Sequence, residues 1–146
     1  MKQLILVRYG QYENGHLTKE GREVMMQAGE KIQPLISNCS FKLLAADTAR
    51  AIESAEVIGE MINKNVDIYT ELYAAEEDGR LPACEAAQKL LSELGNDCDI
   101  IVAIVSREYI ETLPSYLLKK EMKTTLNRGD CLVVDFELED VLGIRG

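Results

Sequence analysis
The sequence predicts an α/β protein: one three-layer α/β/α domain, residues 1–146, with helices on both faces of an open, mostly parallel sheet. Three observations carry this prediction. Short apolar runs alternate with helical stretches in the order β-α-β-α-β-α-β-α-β, the alternation that builds a parallel sheet. Two of the runs, around Leu4 and around Val102, are apolar throughout, as strands buried on both faces are. The length of 146 residues, 47% of them hydrophobic, supplies one full core, and no linker, internal repeat or low-complexity stretch divides it.

The elements follow in order. Gln3–Val7 (QLILV), bounded by charge and then Gly10, is the first strand. A helix is expected from Lys19 to about Ile36, capped by Thr18, with Val24, Ala28, Ile32 and Leu35 recurring on one face. Ser37–Ser40 is a turn and Lys42–Ala46 a second strand. Asp47 or Thr48 can cap the next helix, about Ala49 to Asn63, with apolar positions Ile52, Ala55, Ile58 and Ile62. Val66–Tyr69 is a brief third strand. Glu71–Leu81, which carries Glu76, Glu77, Asp78 and Gly79, reads as a loop. Pro82 suits the first turn of a helix that runs to about Leu94 and ends at Gly95-Asn96. Asp99–Val105 (DIIVAIV) is the strongest strand. A helix from about Glu108 to Lys120 follows, with a kink expected at Pro114. Asn127-Arg128-Gly129-Asp130 is a turn, and Cys131–Leu138 is a last strand able to run antiparallel at an edge.

Composition narrows the function classes. Sixteen basic residues against twenty-five acidic ones give a net charge of −9, which argues against nucleic acid or an anionic membrane as partner but allows a local basic pocket. The single histidine, His16, excludes a multi-histidine metal site. The cysteines, at 39, 84, 98 and 131, lack the CxxC spacing of a zinc site or a redox pair. Met1-Lys2-Gln3 leads into an apolar run too short for a signal or a membrane span, so a reduced, cytoplasmic setting is expected. With no nucleotide-binding glycine loop and no metal constellation, no cofactor is expected. The oligomeric state stays open, a homo-oligomer included.

In such a sheet, ligands bind outside the carboxyl ends of the strands. Arg8-Tyr9-Gly10-Gln11 follows the first strand, Asp47-Thr48-Ala49-Arg50 the second, the acidic loop with Glu76 and Glu77 the third, and Ser106-Arg107-Glu108 the fourth. Three of the four ends thus carry an arginine, whose planar fork of donors suits phosphate oxygens. Either the three arginines line an oxyanion pocket or each forms an ordinary surface ion pair.

The segments LILVRYGQ, HLTKEG, ADTARAIESAEVI and DIIVAIVSREYI resemble the histidine phosphatase superfamily, the phosphoglycerate mutase-like proteins. In that family the first strand ends in Arg-His-Gly, and a Leu-Thr-x-x-Gly, here Leu17–Gly21, opens the first helix. The next helix carries an arginine with Thr-Ala four residues on, here Arg50 with Ser54-Ala55. The fourth strand ends in Val-Ser-His, here Val105-Ser106-Arg107. The resemblance runs from about Leu4 to Ile110, and the last strand fits it too. It implies a phosphoglycerate mutase-like fold. It also implies a histidine nucleophile that becomes a phosphohistidine, a second histidine and two arginines on the phosphate, and an acidic proton donor.

The chain departs from that pattern at both histidines. Tyr9 holds the nucleophile position and Arg107 the second histidine's. His16 lies just before Leu-Thr, outside the motif, and reads as an exposed loop residue. Tyr9 is expected to fill the nucleophile's space and offer a hydroxyl to a bound oxyanion. Arg107 either joins Arg8 and Arg50 in binding or pairs with Glu108 and closes the pocket. Gln11 stands where the family often has Glu or Gln, and Ala45 and Ala46 where serines are common. Glu76 and Glu77 are candidates for the acidic position. The expectation is therefore a catalytically inactive, histidine phosphatase-like binder of a phosphate-bearing ligand or oxyanion, with Arg8, Arg50, Arg107 and Gln11 as its contacts. The alternatives are an active phosphatase with an altered nucleophile, Tyr9 or a rearranged His16, and a protein-interaction module on the same scaffold.

Overall fold
Along the chain, β1 (Gln3–Arg8) leads into a hairpin, β2 (Tyr12–Glu13) and β3 (His16–Leu17), and then into α1 (Lys19–Ile36). There follow β4 (Phe41–Ala46), α2 (Ala49–Ile62), β5 (Val66–Tyr69), a 3-10 turn at Thr70–Leu72 and α3 (Glu85–Leu94). The chain ends with β6 (Ile100–Val105), α4 (Arg107–Leu118), β7 (Cys131–Asp135) and β8 (Asp140–Ile144). These come from a computed structural model that describes residues 1–74 and 84–144. Glu76, Glu77 and Pro82 lie outside the described residues.

The main sheet has six strands in the order β5-β4-β6-β1-β7-β8. β5, β4, β6 and β1 are mutually parallel, and β7 and β8 run antiparallel. The all-apolar strands take the centre: every residue of β6 is buried, and Leu4 to Val7 of β1 are fully buried. Each Leu, Ile or Val among them contributes about 1.5–3 kcal/mol through burial. From β1 the chain crosses to β4 and on to β5, and α1 and α2 pack against each other on the face these crossovers share. The return from β5 to β6 reverses direction, so right-handedness puts α3 on the other face. A contact of 3.5 Å from Cys84 Sγ, at the start of α3, to Thr112 Oγ1 of α4 sets these two helices side by side. The helices that leave β1 and β4 thus turn away from those that flank β6. The crevice between them opens at the carboxyl ends of β4, β6 and β1.

Caps and close contacts explain the boundaries. Thr18 Oγ1 accepts from Gly21 N at 3.0 Å and Thr48 Oγ1 from Ala51 N at 3.3 Å, which starts α1 and α2 where the sequence expects them. The core-facing stripe of α1 is Gly21, Met25, Ala28, Ile32 and Ile36, so Val24 and Leu35 sit at its half-buried margin, one position off the predicted face. Two elements correct the sequence reading. Cys131–Leu138 is not one strand: β7 stops at Asp135, whose Oδ1 accepts from Glu137 N and Leu138 N, and the chain turns back as β8, the true edge. His16 lies in a hairpin strand rather than a loop. Asn14 and Gly15, at φ 53° and 82°, make the two-residue turn that pairs Tyr12 with Leu17.

Candidate functional site
The carboxyl-end rim is assembled on β1. Just past it, Gly10 N donates to the buried Ser54 Oγ of α2 at 3.2 Å. Gln11 O accepts from Thr18 N at 2.9 Å and from Thr18 Oγ1 at 3.2 Å. A Cβ on Gly10 would come within 2.7 Å of Gly21 O, and one on Gly21 would run into Gln11 O, so the loop and the first turn of α1 meet backbone to backbone. This is why glycines stand at both places.

Tyr9, 9% exposed, sits in this loop. Its ring meets Tyr12 edge-on, with centroids 5.6 Å apart and planes at 62°. Arg50, in the first turn of α2, places its guanidinium carbon 5.1 Å from the Tyr9 ring centre and 4.7 Å from that of Tyr12. Partial burial opposes the charge on Arg50, but the Tyr9, Tyr12 and Tyr73 side chains more than offset this and hold its pKa above the ordinary value. Arg8 donates from Nη1 to Leu126 O at 2.7 Å.

Four side-chain atoms here are shielded from solvent and lack a hydrogen-bond partner: Arg8 Nε, Gln11 Oε1, Arg50 Nε and Ser106 Oγ. Among the described residues no other buried side-chain polar atom is in this state, and all four belong to this one rim. Buried polar groups are nearly always paired, so such a cluster is informative. Two guanidinium donors, a hydroxyl and an amide can together receive an oxyanion and one donor hydrogen of the same ligand.

The structure brings together Arg8, Tyr9, Gln11 and Arg50 among the sequence-predicted residues. Arg107 points to other partners: its Nη2 is 3.4 Å from Glu108 Oε1 and its Nε is 3.9 Å from Glu111 Oε1, with half of the side chain exposed. Of the two sequence readings of Arg107, the ion pair is the one seen. His16 is also exposed, with Nδ1 3.2 Å from a Glu53 oxygen. Burial pushes the Glu53 carboxyl up, but hydrogen bonds from Leu17 N and His16 bring its pKa below the usual carboxylate value. Ala45 and Ala46 are buried and add no hydroxyl to the rim. Glu76 and Glu77 cannot be placed, being outside the described residues.

One residue escaped the sequence reading. The guanidinium carbon of Arg128 lies 5.1 Å from the Tyr12 ring centre, so this arginine stands at the same rim. A signal for it exists, because a turn that precedes a strand antiparallel to β1 must lie at the carboxyl end of β1. A separate cleft of about 920 Å³ along α4, lined by Cys84, Glu111, Tyr116, Lys119 and Glu121 among others, contains none of these arginines.

No family model and no curated protein sequence matches the chain. Solved structures do match it, over nearly its whole length. A mycobacterial glucosyl-3-phosphoglycerate phosphatase complexed with VO3 aligns with a TM-score of 0.75 at 16% identity, over 99% of this chain and 97% of its own. The protein histidine phosphatase SixA complexed with tungstate gives 0.74 at 16% identity, over 98% and 94%. A mutant phosphoserine phosphatase from Entamoeba histolytica, with a histidine replaced by alanine and in complex with phosphoserine, gives 0.73 at 16% identity, over 99% and 96%. With the strand order described above, these likenesses show that the chain has a phosphoglycerate mutase-like α/β fold.

Proposed function
We propose that this protein binds a phosphate-bearing ligand, or another oxyanion, through Arg8 and Arg50 with help from Gln11 and Ser106, and that it carries out no phosphohistidine chemistry. The observation behind this reading is the clustering on one rim of all four unpartnered buried side-chain atoms found among the described residues. No ion pair among the described residues reaches Arg8 or Arg50; a partly buried guanidinium in that state is costly, and an oxyanion in the crevice would offset the cost with charge-assisted hydrogen bonds. Structures of similar fold hold VO3, tungstate and phosphoserine, the last in a variant with one histidine replaced.

The lack of transfer rests on the residues at the centre. A nucleophile must present a reactive atom with a base beside it. Tyr9 stands at that position in the sequence pattern, packed against Tyr12 and Arg50, and the sole imidazole, His16, is engaged with Glu53 at the surface. The test is calorimetric titration with inorganic phosphate alongside an assay for phosphate release from an aryl phosphate. Binding to the wild type, loss of at least about tenfold in affinity in Arg50→Ala, and no release above background are expected. Turnover that disappears in Tyr9→Phe would overturn the inactive reading. Absence of any binding would overturn the oxyanion reading.

A further inference from the structure
The sequence places Arg128 in a plain turn, and the structure carries it to the rim. β7 is antiparallel to β1, with Cys131 opposite Val7, so residues 126–130 lie beside the end of β1. There they are tied to Arg8 three times. Arg8 N donates to Asp130 O at 3.3 Å, Gly129 N donates to Arg8 O at 2.9 Å, and Arg8 Nη1 donates to Leu126 O at 2.7 Å. The turn is closed internally by Asp130 N, which donates to Asn127 O at 3.0 Å, and from outside Lys31 Nζ lies 3.8 Å from Asp130 Oδ1. Gly129 has φ +80°, and a Cβ there would run into the Val24 side chain of α1, so both the backbone conformation and the space favour glycine. Arg128 is therefore presented by a fixed turn that shares its hydrogen bonds with the site arginine.

Its neighbours are as informative as its position. Arg50 lies against both Tyr9 and Tyr12, whereas Arg128 lies against Tyr12 alone. Arg128 thus stands one ring farther from the Tyr9 position. Two guanidinium groups meet one aromatic ring in a chain of net charge −9. Among the described residues the ion pairs involve His16, Lys31, Lys42 and Arg107, and none reaches Arg8, Arg50 or Arg128. Among those residues nothing offsets the repulsion of like charges gathered at one ring, and the tyrosine compensates only in part. Arg107, by contrast, is neutralised by its own helix.

We infer that Arg128 is the third cation of the site and that the ligand carries two anionic groups, a phosphoryl group on Arg8 and Arg50 and a second anion on Arg128. This rests on the oxyanion reading above and adds the ligand's charge layout to it. The second anion can be a carboxylate or another phosphoryl group, since a guanidinium fork receives either.

Three probes separate the possibilities: methyl phosphate with one anionic group, phosphoglycolate with an added carboxylate, and pyrophosphate with an added phosphoryl group. The wild type is expected to bind phosphoglycolate or pyrophosphate at least about tenfold more tightly than methyl phosphate, and the preferred probe identifies the second anion. In Arg128→Gln that ratio falls to about one, and Arg128→Lys, which keeps the charge, restores part of it. If the wild type shows no preference, or Arg128→Gln weakens all probes equally, the inference fails while the oxyanion reading stands. If the wild type binds none of the three, the oxyanion reading itself fails.

Discussion

The two ends of the central strands treat polar groups in opposite ways. At the amino ends nearly everything is paired. Met1 N donates to Gly95 O at 2.8 Å, and Gln3 Nε2 donates to Asp135 Oδ2 at 2.9 Å. Lys42 Nζ reaches Leu94 O at 2.8 Å and Asp97 Oδ1 at 2.7 Å. Ser40 and Asp99 exchange hydrogen bonds in both directions. At the carboxyl ends Arg8, Gln11, Arg50 and Ser106 each keep a buried atom unpaired, and cations gather around tyrosine rings. The same sheet and the same chain produced both ends, so the shortfall at one of them is not a general failure of packing. It is this shortfall that the proposed oxyanion would make good.

Mutations can break this contrast, and the largest effect should come from the backbone contact that shapes the open rim. Gly21→Ala pushes a methyl group into Gln11 O, and about 2–3 kcal/mol of stability should be lost in denaturant unfolding. A cost below about 0.5 kcal/mol would show that the loop is not held by that approach. Ser54→Ala leaves the buried Gly10 N without its acceptor and should cost about 1–2 kcal/mol. Ser106→Ala removes a buried hydroxyl that has no partner. Without anion it should change stability by less than about 0.5 kcal/mol, and with saturating phosphate it should prove harmful. A full hydrogen-bond loss in the absence of anion would place Ser106 among the paired groups and blur the contrast.

The paired end should reveal itself in acid. Its hydrogen bond from Gln3 holds the Asp135 carboxyl below the ordinary range, and Lys42 does the same for Asp97. Lowered folded-state values mean stability that is present above the unfolded pKa of about 4 and is lost as pH falls through the lowered values. Unfolding measured from neutral to strongly acidic pH should show that loss, and it should shrink in Asp97→Asn with Asp135→Asn. Both carboxyls are at the surface, so this is the smallest effect. Phosphate affinity at neutral pH should be unchanged in that double variant.

Much of this is legible in the sequence, and the exceptions have physical reasons. The buried strands β1 and β6 declare themselves because they are covered on both faces and so are apolar without interruption. Thr18 and Thr48 mark their helices because a hydroxyl there accepts a backbone N–H. The hairpin of β2 and β3 escapes because strands of two residues carry no periodicity, although Asn14-Gly15 is a strong turn signal. β8 escapes because Phe136 to Leu138 reads as a continuation of β7, whereas Asp135 Oδ1 accepts from Glu137 N and Leu138 N and the chain turns there. At the site, the residues just past the parallel strands stand out, but Arg107 meets carboxylates of its own helix. Arg128 escapes because it precedes an antiparallel strand. In a mixed sheet the functional rim is fed from both directions, by the segments that leave parallel strands and by those that enter antiparallel ones.

The most direct test of the oxyanion site is the heat stability of the wild type and of Arg50→Ala, each with and without tungstate or phosphate. A ligand that binds only the folded state at a hundredfold excess over Kd adds about 2.7 kcal/mol, an upward shift of roughly 5–10 °C for a domain of this size. That shift is expected in the wild type, and about half of it or less in Arg50→Ala at the same ligand concentration. No shift in the wild type, or an equal shift in both proteins, would contradict an arginine-built oxyanion site.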